Sequence, residues 1–329
     1  MPPDTFRKAY VYGAGIKRLW AIARKHNVSP FVLFLGDADN VFGEREDHDK
    51  QEIFSRLAQS RIVAPYLAET VSFTAPHCAP TADLPVGMTY PIVLKPSRGM
   101  RAVGIVAVHD QCALRRFLAT RRCRYVAQNF MRDGVEIAVS YTRNPAGSPE
   151  FFGIARKRPA RWQEEWRNGL CRTPAYFHYE DWTHRLDRDG YLALCRAITE
   201  TLRSNSIRFD AIVCSKDGAL IMNSMRIIDV NIGVLSTDEF LLDTRHPLEF
   251  VIEQLVRRYT YVLIAGAKHS HRFTFAKRKD ITLHYLYCYW LTLYYRIEAR
   301  PVLSRLWSAA AGLFDRQAGN SRRSNRPVL

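Results

Sequence analysis

Between Ile207 and Val234 the run IRFDAIVCSKDGALIMNSMRIIDVNIGV places Arg208 and Asp210 in one apolar stretch and Asp229 and Asn231 in a later one. Residues 209–214 and 227–230 are apolar and β-branched enough for central strands, and Lys216-Asp217-Gly218 is a turn signal after the first of them. A carboxylate inside such a strand is costly to bury without a partner. Asp210, Asp229 and the carboxamide of Asn231 are hard oxygen ligands, the kind Mg²⁺ selects while keeping waters and substrate phosphates in its other positions. The competing interpretation is an Asp and an Asn capping turns at strand ends.

A second stretch lies upstream. Tyr90 to Val108, YPIVLKPSRGMRAVGIVAV, reads as strand, glycine-containing loop, strand, with Lys95 closing the first strand. A lysine there can project a compact charge onto a phosphate. Taken in order, Lys95-Pro96-Ser97-Arg98 with Val103-Gly104, then Arg208-Phe209-Asp210, then Asp229-Val230-Asn231 resemble the ATP-grasp superfamily. In the loop the D-alanine:D-alanine ligase branch looks closest. The resemblance spans about residues 48 to 235. It rests on the order and spacing of short motifs rather than on any one of them.

The resemblance implies a set of roles. Asp210, Asp229 and Asn231 would hold two Mg²⁺ ions, with Mn²⁺ as an alternative. Lys95 would contact the α- or β-phosphate of ATP, joined by Lys50. Ser97 and Arg101 would belong to the loop folding over the phosphates. Backbone groups near Phe130 and Met131 would read the adenine edge, with Gln128 beside them and Glu136 on the ribose. Arg208 would stabilise developing negative charge. Two positions depart from the pattern: Met100-Arg101-Ala102 replaces a glycine- and serine-rich loop centre, and Gln128 stands where an acidic residue is common. Lys50 can equally be an exposed first-turn lysine, and the alternative for Glu136 is an outward residue on a half-exposed strand. Lys157 and Arg158 are candidate phosphate or carboxylate contacts, or else face solvent.

These residues need elements to hold them. The N-terminal AYVYGAGIKRLWAIARKH, followed by PFVLFLGDADN, suggests strand, turn, helix and strand, hence an abbreviated α/β subdomain over 1–45. A helix opens after Asp49, an N-cap residue, with Ile53, Phe54 and Leu57 as its apolar stripe. Next come a helix near 112–119, a strand-turn-strand over RYVAQNFMRDGVEIAVSYT and a strand at FFGIARKRP. A helix over 188–204 presents Tyr191, Leu194, Cys195, Ile198 and Leu202 to the sheet. A final helix from about 247 to 261 turns Phe250, Ile252, Leu255 and Val256 inward. The expected architecture is α/β (α+β), an ATP-grasp fold. A lid subdomain would cover 46–135, a metal-bearing subdomain 136–265, and a helical basic extension 266–329.

Composition admits this architecture and excludes others. The 329 residues are 47% hydrophobic and 24% charged, ordinary for a globular chain and unlike a disordered or repeat protein. Seven scattered cysteines with no CxxC pair argue against a disulfide framework or a structural zinc, and suit a reducing compartment. The N-terminus lacks the apolar core of a signal peptide. The expected location is therefore cytoplasmic, or peripheral at the inner face of a membrane. A net charge of +16 points to an acidic partner, without choosing among nucleotide, nucleic acid, anionic lipid and phosphorylated substrate. The basic clusters carry no compact nucleic-acid signature, so no nucleic-acid partner is expected. Ile281 to Tyr295 has no Asp, Glu, Lys or Arg and is too short to span a bilayer. Residues 281–315 are read as a docking or homodimer helix, or as a membrane-surface contact. The expected activity is an ATP-dependent ligase acting on a small carboxylate and an amine or thiol. The rival readings are a non-catalytic nucleotide-sensing module and an ATP-grasp kinase.

Overall fold

A computed structural model describes residues 3–35, 39–42, 49–74, 84, 87–98, 105–119, 124–131, 134–147, 149–159, 177–216, 219–233 and 239–269. The chain divides into two units, Met1–Phe273 and Thr274–Leu329, and every described residue belongs to the first. The loop centre Met100-Arg101-Ala102 and the whole of 281–315 lie outside the described residues.

Two antiparallel sheets carry the fold. The first is four-stranded in the order β1-β4-β2-β3, built from β1 (Thr70–Thr74), β2 (Ile92–Pro96), β3 (Val106–Val108) and β4 (Arg124–Asn129). Alternation sorts its faces. Phe73, Ile92, Leu94, Val108, Tyr125 and Ala127 share one core cluster with Leu114 and Leu118 of α3 (Gln111–Ala119). Lys95 pairs with Val126, and Val93 pairs with Gln128, so Lys95 and Gln128 occupy the opposite face.

The second sheet is five-stranded in the order β7-β6-β5-β8-β9, from β5 (Gly134–Thr142), β6 (Phe151–Pro159), β7 (Phe177–Asp181), β8 (Ser206–Lys216) and β9 (Ala219–Ile232). One face, with Ile137, Val139, Ile154, Phe209, Ala211 and Val213, is buried against α2 (Lys50–Leu57) and α4 (Arg188–Leu202). Each large side chain buried there contributes about 1.5–3 kcal/mol. Both helices are capped as their sequences dictate. Asp49 accepts from Gln51 N and Asp187 from Gly190 N, which satisfies amides that have no intrahelical partner. The C-cap of α4, Arg203, takes a left-handed φ of 52°. The expected stripes, Ile53/Phe54/Leu57 and Tyr191/Leu194/Cys195/Ile198/Leu202, are all buried.

The start of the chain differs from the strand-turn-helix-strand expectation. Residues Pro3–Lys25 form one helix, α1, and Pro30–Leu35 a 3-10 turn. The Gly13-Ala14-Gly15 run is helical. Gly13 has open space at its Cβ position, while a Cβ on Gly15 would lie 3.0 Å from Leu255 of α5 (Leu248–Ala267). Helix packing therefore overrides the weak helix propensity of glycine. Val11 shares a core cluster with Leu255, and Leu19 and Ala23 share another with Val262 and Leu263.

One irregularity interrupts the second sheet. Asp210 pairs with Asp229 but Ala211 pairs with Ile227, so Ile228 is an extra residue in β9, a β-bulge that takes its backbone out of the ladder.

Candidate active site

Pairing on the second sheet collects charged residues on the face away from the α2/α4 core. Arg208 is opposite Asn231, and Asp210 is opposite Asp229. Asp210 is also opposite Ala138 on β5, so Glu136, two residues before Ala138, shares its face. Ile137 pairs with Arg156, which puts Lys157 beside Glu136. The adjacent strands β6, β5, β8 and β9 thus assemble Lys157, Glu136, Asp210, Arg208, Asp229 and Asn231 into one patch.

Its ion pairs are short. Lys157 Nζ lies 2.8 Å from Asp210 Oδ2 and 3.3 Å from Glu136 Oε1. Arg208 Nε lies 3.4 Å from Asp210 Oδ1. From the start of α2, Lys50 donates to Asp229 Oδ1 at 2.7 Å. From the first sheet, Lys95 donates to the carbonyl of Ile228 at 2.9 Å, the residue the bulge removes from the ladder. Ser97 holds the junction, its carbonyl accepting from Lys50 N at 2.8 Å and its amide donating to Arg124 O at 2.9 Å.

Lys95 is 7% exposed and Asp210 is 8% exposed, so the charges act in a poorly solvated space. Burial pushes the Lys95 ammonium down to about 8, with Lys50 adding to the drop against Asp229, Glu136 and Asp210. At Asp229, burial works to raise the carboxyl, yet Lys50 and then Lys95 hold it at about 2. At Asp210, Arg208 and Lys157 outweigh burial and the neighbouring Asp229, holding it below the usual carboxylate range.

The structure therefore brings together Lys50, Lys95, Glu136, Arg208, Asp210, Asp229 and Asn231. It places the remaining candidates less directly. Gln128 is 2% exposed and donates through Nε2 to Thr70 Oγ1 at 3.0 Å, while its Oε1 accepts no hydrogen bond. Phe130 and Met131 are half-buried, and the Phe130 amide is committed to Pro91 O at 3.1 Å. The backbone groups of this stretch other than that amide are those left for an adenine edge. Ser97 is buried, and Arg101 lies outside the described residues. Lys157 is more central than expected. Its signal is the alternation of FFGIARKRP, which puts Phe151, Gly153, Ala155 and Lys157 on one face.

Among the described residues, no three His, Cys, Asp or Glu side chains form a metal-holding group. A divalent cation here would draw on two carboxylates, the Asn231 carboxamide and a ligand's own oxygens. The donor chemistry fits Mg²⁺ on one observation: Asp210 Oδ1 is a buried oxygen that accepts no hydrogen bond. No helix among the described residues is long and apolar enough to cross a membrane.

No protein-family model matches the chain, and no curated protein matches it. Solved structures do. The ADP complex of N5-carboxyaminoimidazole ribonucleotide synthetase superposes with a TM-score of 0.47 at 12% identity, over 67% of this chain and 53% of that one. D-alanine–D-alanine ligase from Bacillus anthracis gives 0.41 at 17% identity, over 68% and 67%. L-amino acid ligase from Bacillus licheniformis gives 0.43 at 17%, over 72% and 52%. The chain thus spans about half the length of the first and third of these proteins. Those names belong to those proteins, and this chain's chemistry has to be read from its own side chains. The resemblance to the ATP-grasp superfamily rests on the order of the chain's own short motifs and not on these likenesses.

Proposed function

We propose that this protein is an ATP- and Mg²⁺-dependent ligase that joins a carboxylate to an amine or thiol through an acylphosphate. The observation supporting it is the convergence of Lys50, Lys95, Lys157 and Arg208 on Glu136, Asp210 and Asp229 between the two sheets. Such a patch suits a polyphosphate accompanied by a divalent cation. Asp210, Asp229 and Asn231 would hold Mg²⁺, which offsets phosphate charge when bound. Lys95, near the end of β2 in the first sheet, and Lys50, opening α2, would orient the phosphate chain. Glu136 would accept from the ribose hydroxyls, with Gln128, Phe130 and Met131 on the adenine side.

The reaction proposed has two displacements. A substrate carboxylate oxygen attacks the γ-phosphorus, the bond to the β-phosphate oxygen breaks, and ADP leaves. The amine or thiol then attacks the acyl carbon, the carbon–oxygen bond to phosphate breaks, inorganic phosphate leaves, and the nucleophile's proton passes to solvent. Arg208, beside Asp210, would offset the negative charge that develops on the phosphoryl and acyl oxygens in the two steps. No nucleophilic side chain is required.

The test is product analysis. Incubating the full chain with ATP, Mg²⁺ and a library of amino acids and small carboxylic acids should release ADP and inorganic phosphate. AMP and pyrophosphate would refute the acylphosphate route. A phosphorylated product that persists would make the protein a kinase, and tight ATP binding without turnover would make it a binding module.

A further inference from the structure

Each carboxylate expected to bind metal already carries an ammonium group. Lys50 Nζ sits 2.7 Å from Asp229 Oδ1, and Lys157 Nζ sits 2.8 Å from Asp210 Oδ2. Both pairs are sheltered, with side-chain exposures of 13% and 23% for Lys50 and Asp229, and 6% and 12% for Lys157 and Asp210. Lys95 behaves differently, donating to the Ile228 carbonyl. Counted with Lys95 and Arg208, four cationic side chains face three carboxylates, Glu136, Asp210 and Asp229. A free divalent ion entering alone would confront an already cationic cluster and would have to separate two close pairs.

We infer that Lys50 and Lys157 are cation stand-ins that keep the metal positions closed until a polyphosphate arrives. The inference rests on reading this cluster as a metal–nucleotide site. An incoming triphosphate supplies the negative charge that the lysines need once they leave the carboxylates, so both lysines move from Asp229 and Asp210 to phosphate oxygens. The carboxylate oxygens they leave then become available to the divalent ion. Metal and nucleotide therefore enter together, and the free protein ignores free metal. The buried Asp210 Oδ1 accepts no hydrogen bond and faces Arg208 Nε at 3.4 Å.

The probe is Mn²⁺, followed by the electron paramagnetic resonance signal of the free ion, with no turnover needed. Wild-type protein without nucleotide should bind Mn²⁺ weakly. Lys50→Met and Lys157→Met should each tighten binding by about tenfold or more, the effect of about 1.4 kcal/mol of released competition. Lys50→Arg should leave it weak. Mn²⁺ affinity unchanged in both methionine variants would overturn the inference. Tight Mn²⁺ binding by the wild-type protein alone would overturn it too, and that measurement needs no variant to fold. A parallel titration with a non-hydrolysable ATP analogue separates the two levels. If no nucleotide binds, the functional reading fails, while the Mn²⁺ comparison still decides whether the lysines block the carboxylates.

Discussion

Replacing Asp229 by Asn keeps the shape of the side chain and removes its charge, and with it the attraction to Lys50, Lys95 and Arg208. A carboxyl held at about 2 rather than its ordinary 3.8 has its ionised form favoured in the folded protein by about 2.5 kcal/mol, at 1.36 kcal/mol per pH unit. Asn mimics the neutral form. Asp229→Asn should therefore lose about 2 kcal/mol at pH 7, a little less than the full figure because the side chain is 23% exposed. The sign follows from proton counting. Between pH 3.8 and 2 the unfolded chain binds the proton and the folded protein does not. The advantage of Asp over Asn is thus fully present above about pH 4 and disappears as pH falls through about 2. Urea unfolding followed by tryptophan fluorescence at pH 7, 5, 4 and 3 would trace it. A cycle with Lys50→Met should show that Asp229→Asn costs less than half as much when the lysine is absent. Equal stability of wild type and Asp229→Asn at pH 7, or a difference independent of Lys50, would show that the Lys50–Asp229 pair does not stabilise the fold.

Lys95 titrates near 8 in the free protein, and phosphates bind its charged form, so nucleotide affinity should fall above pH 8 by up to about tenfold per pH unit. Calorimetry at pH 9 in buffers of different ionisation enthalpy should show proton uptake on binding, absent in Lys95→Met; binding without uptake would count against this role. Because folding lowers this pKa from 10.5, the stability cost of burying Lys95 should be relieved as pH rises from 8 to 10.5. Asp229→Ala should abolish ATP turnover and leave the circular dichroism spectrum unchanged, and an active variant would remove Asp229 from the site. A Cβ on Gly153 would sit 2.2 Å from the ring of Phe240, so Gly153→Ala should destabilise by about 1–3 kcal/mol. A loss below about 0.5 kcal/mol in chemical denaturation would show that the ring yields easily.

Much of this site was legible because strand alternation converts sequence spacing into facing. Arg208/Asp210 and Asp229/Asn231 are each two apart, so a single hairpin puts all four on one face. The capped helix at Asp49 and the lysine ending β2 were equally local signals. What escaped was set by contacts distant in sequence. Gly13 and Gly15 suggested a turn, but the pairing of α1 with α5 makes them helical. Lys157 was ambiguous because nothing in FFGIARKRP says which face is buried until β5 fixes the register. The Ile228 bulge, which frees a carbonyl for Lys95, has no sequence signature, since RIIDVN reads as an unbroken strand.

On the function proposed, the charge cluster between the two sheets binds a metal–nucleotide complex. The direct measurement is calorimetric titration of a non-hydrolysable ATP analogue with Mg²⁺ into wild-type protein and into an Asp210→Asn/Asp229→Asn double variant, both shown to be folded. The wild type should bind only when Mg²⁺ is present, and the double variant should lose that metal-dependent binding. Binding that is unchanged in the double variant, or that is indifferent to Mg²⁺ in the wild type, would contradict the claim.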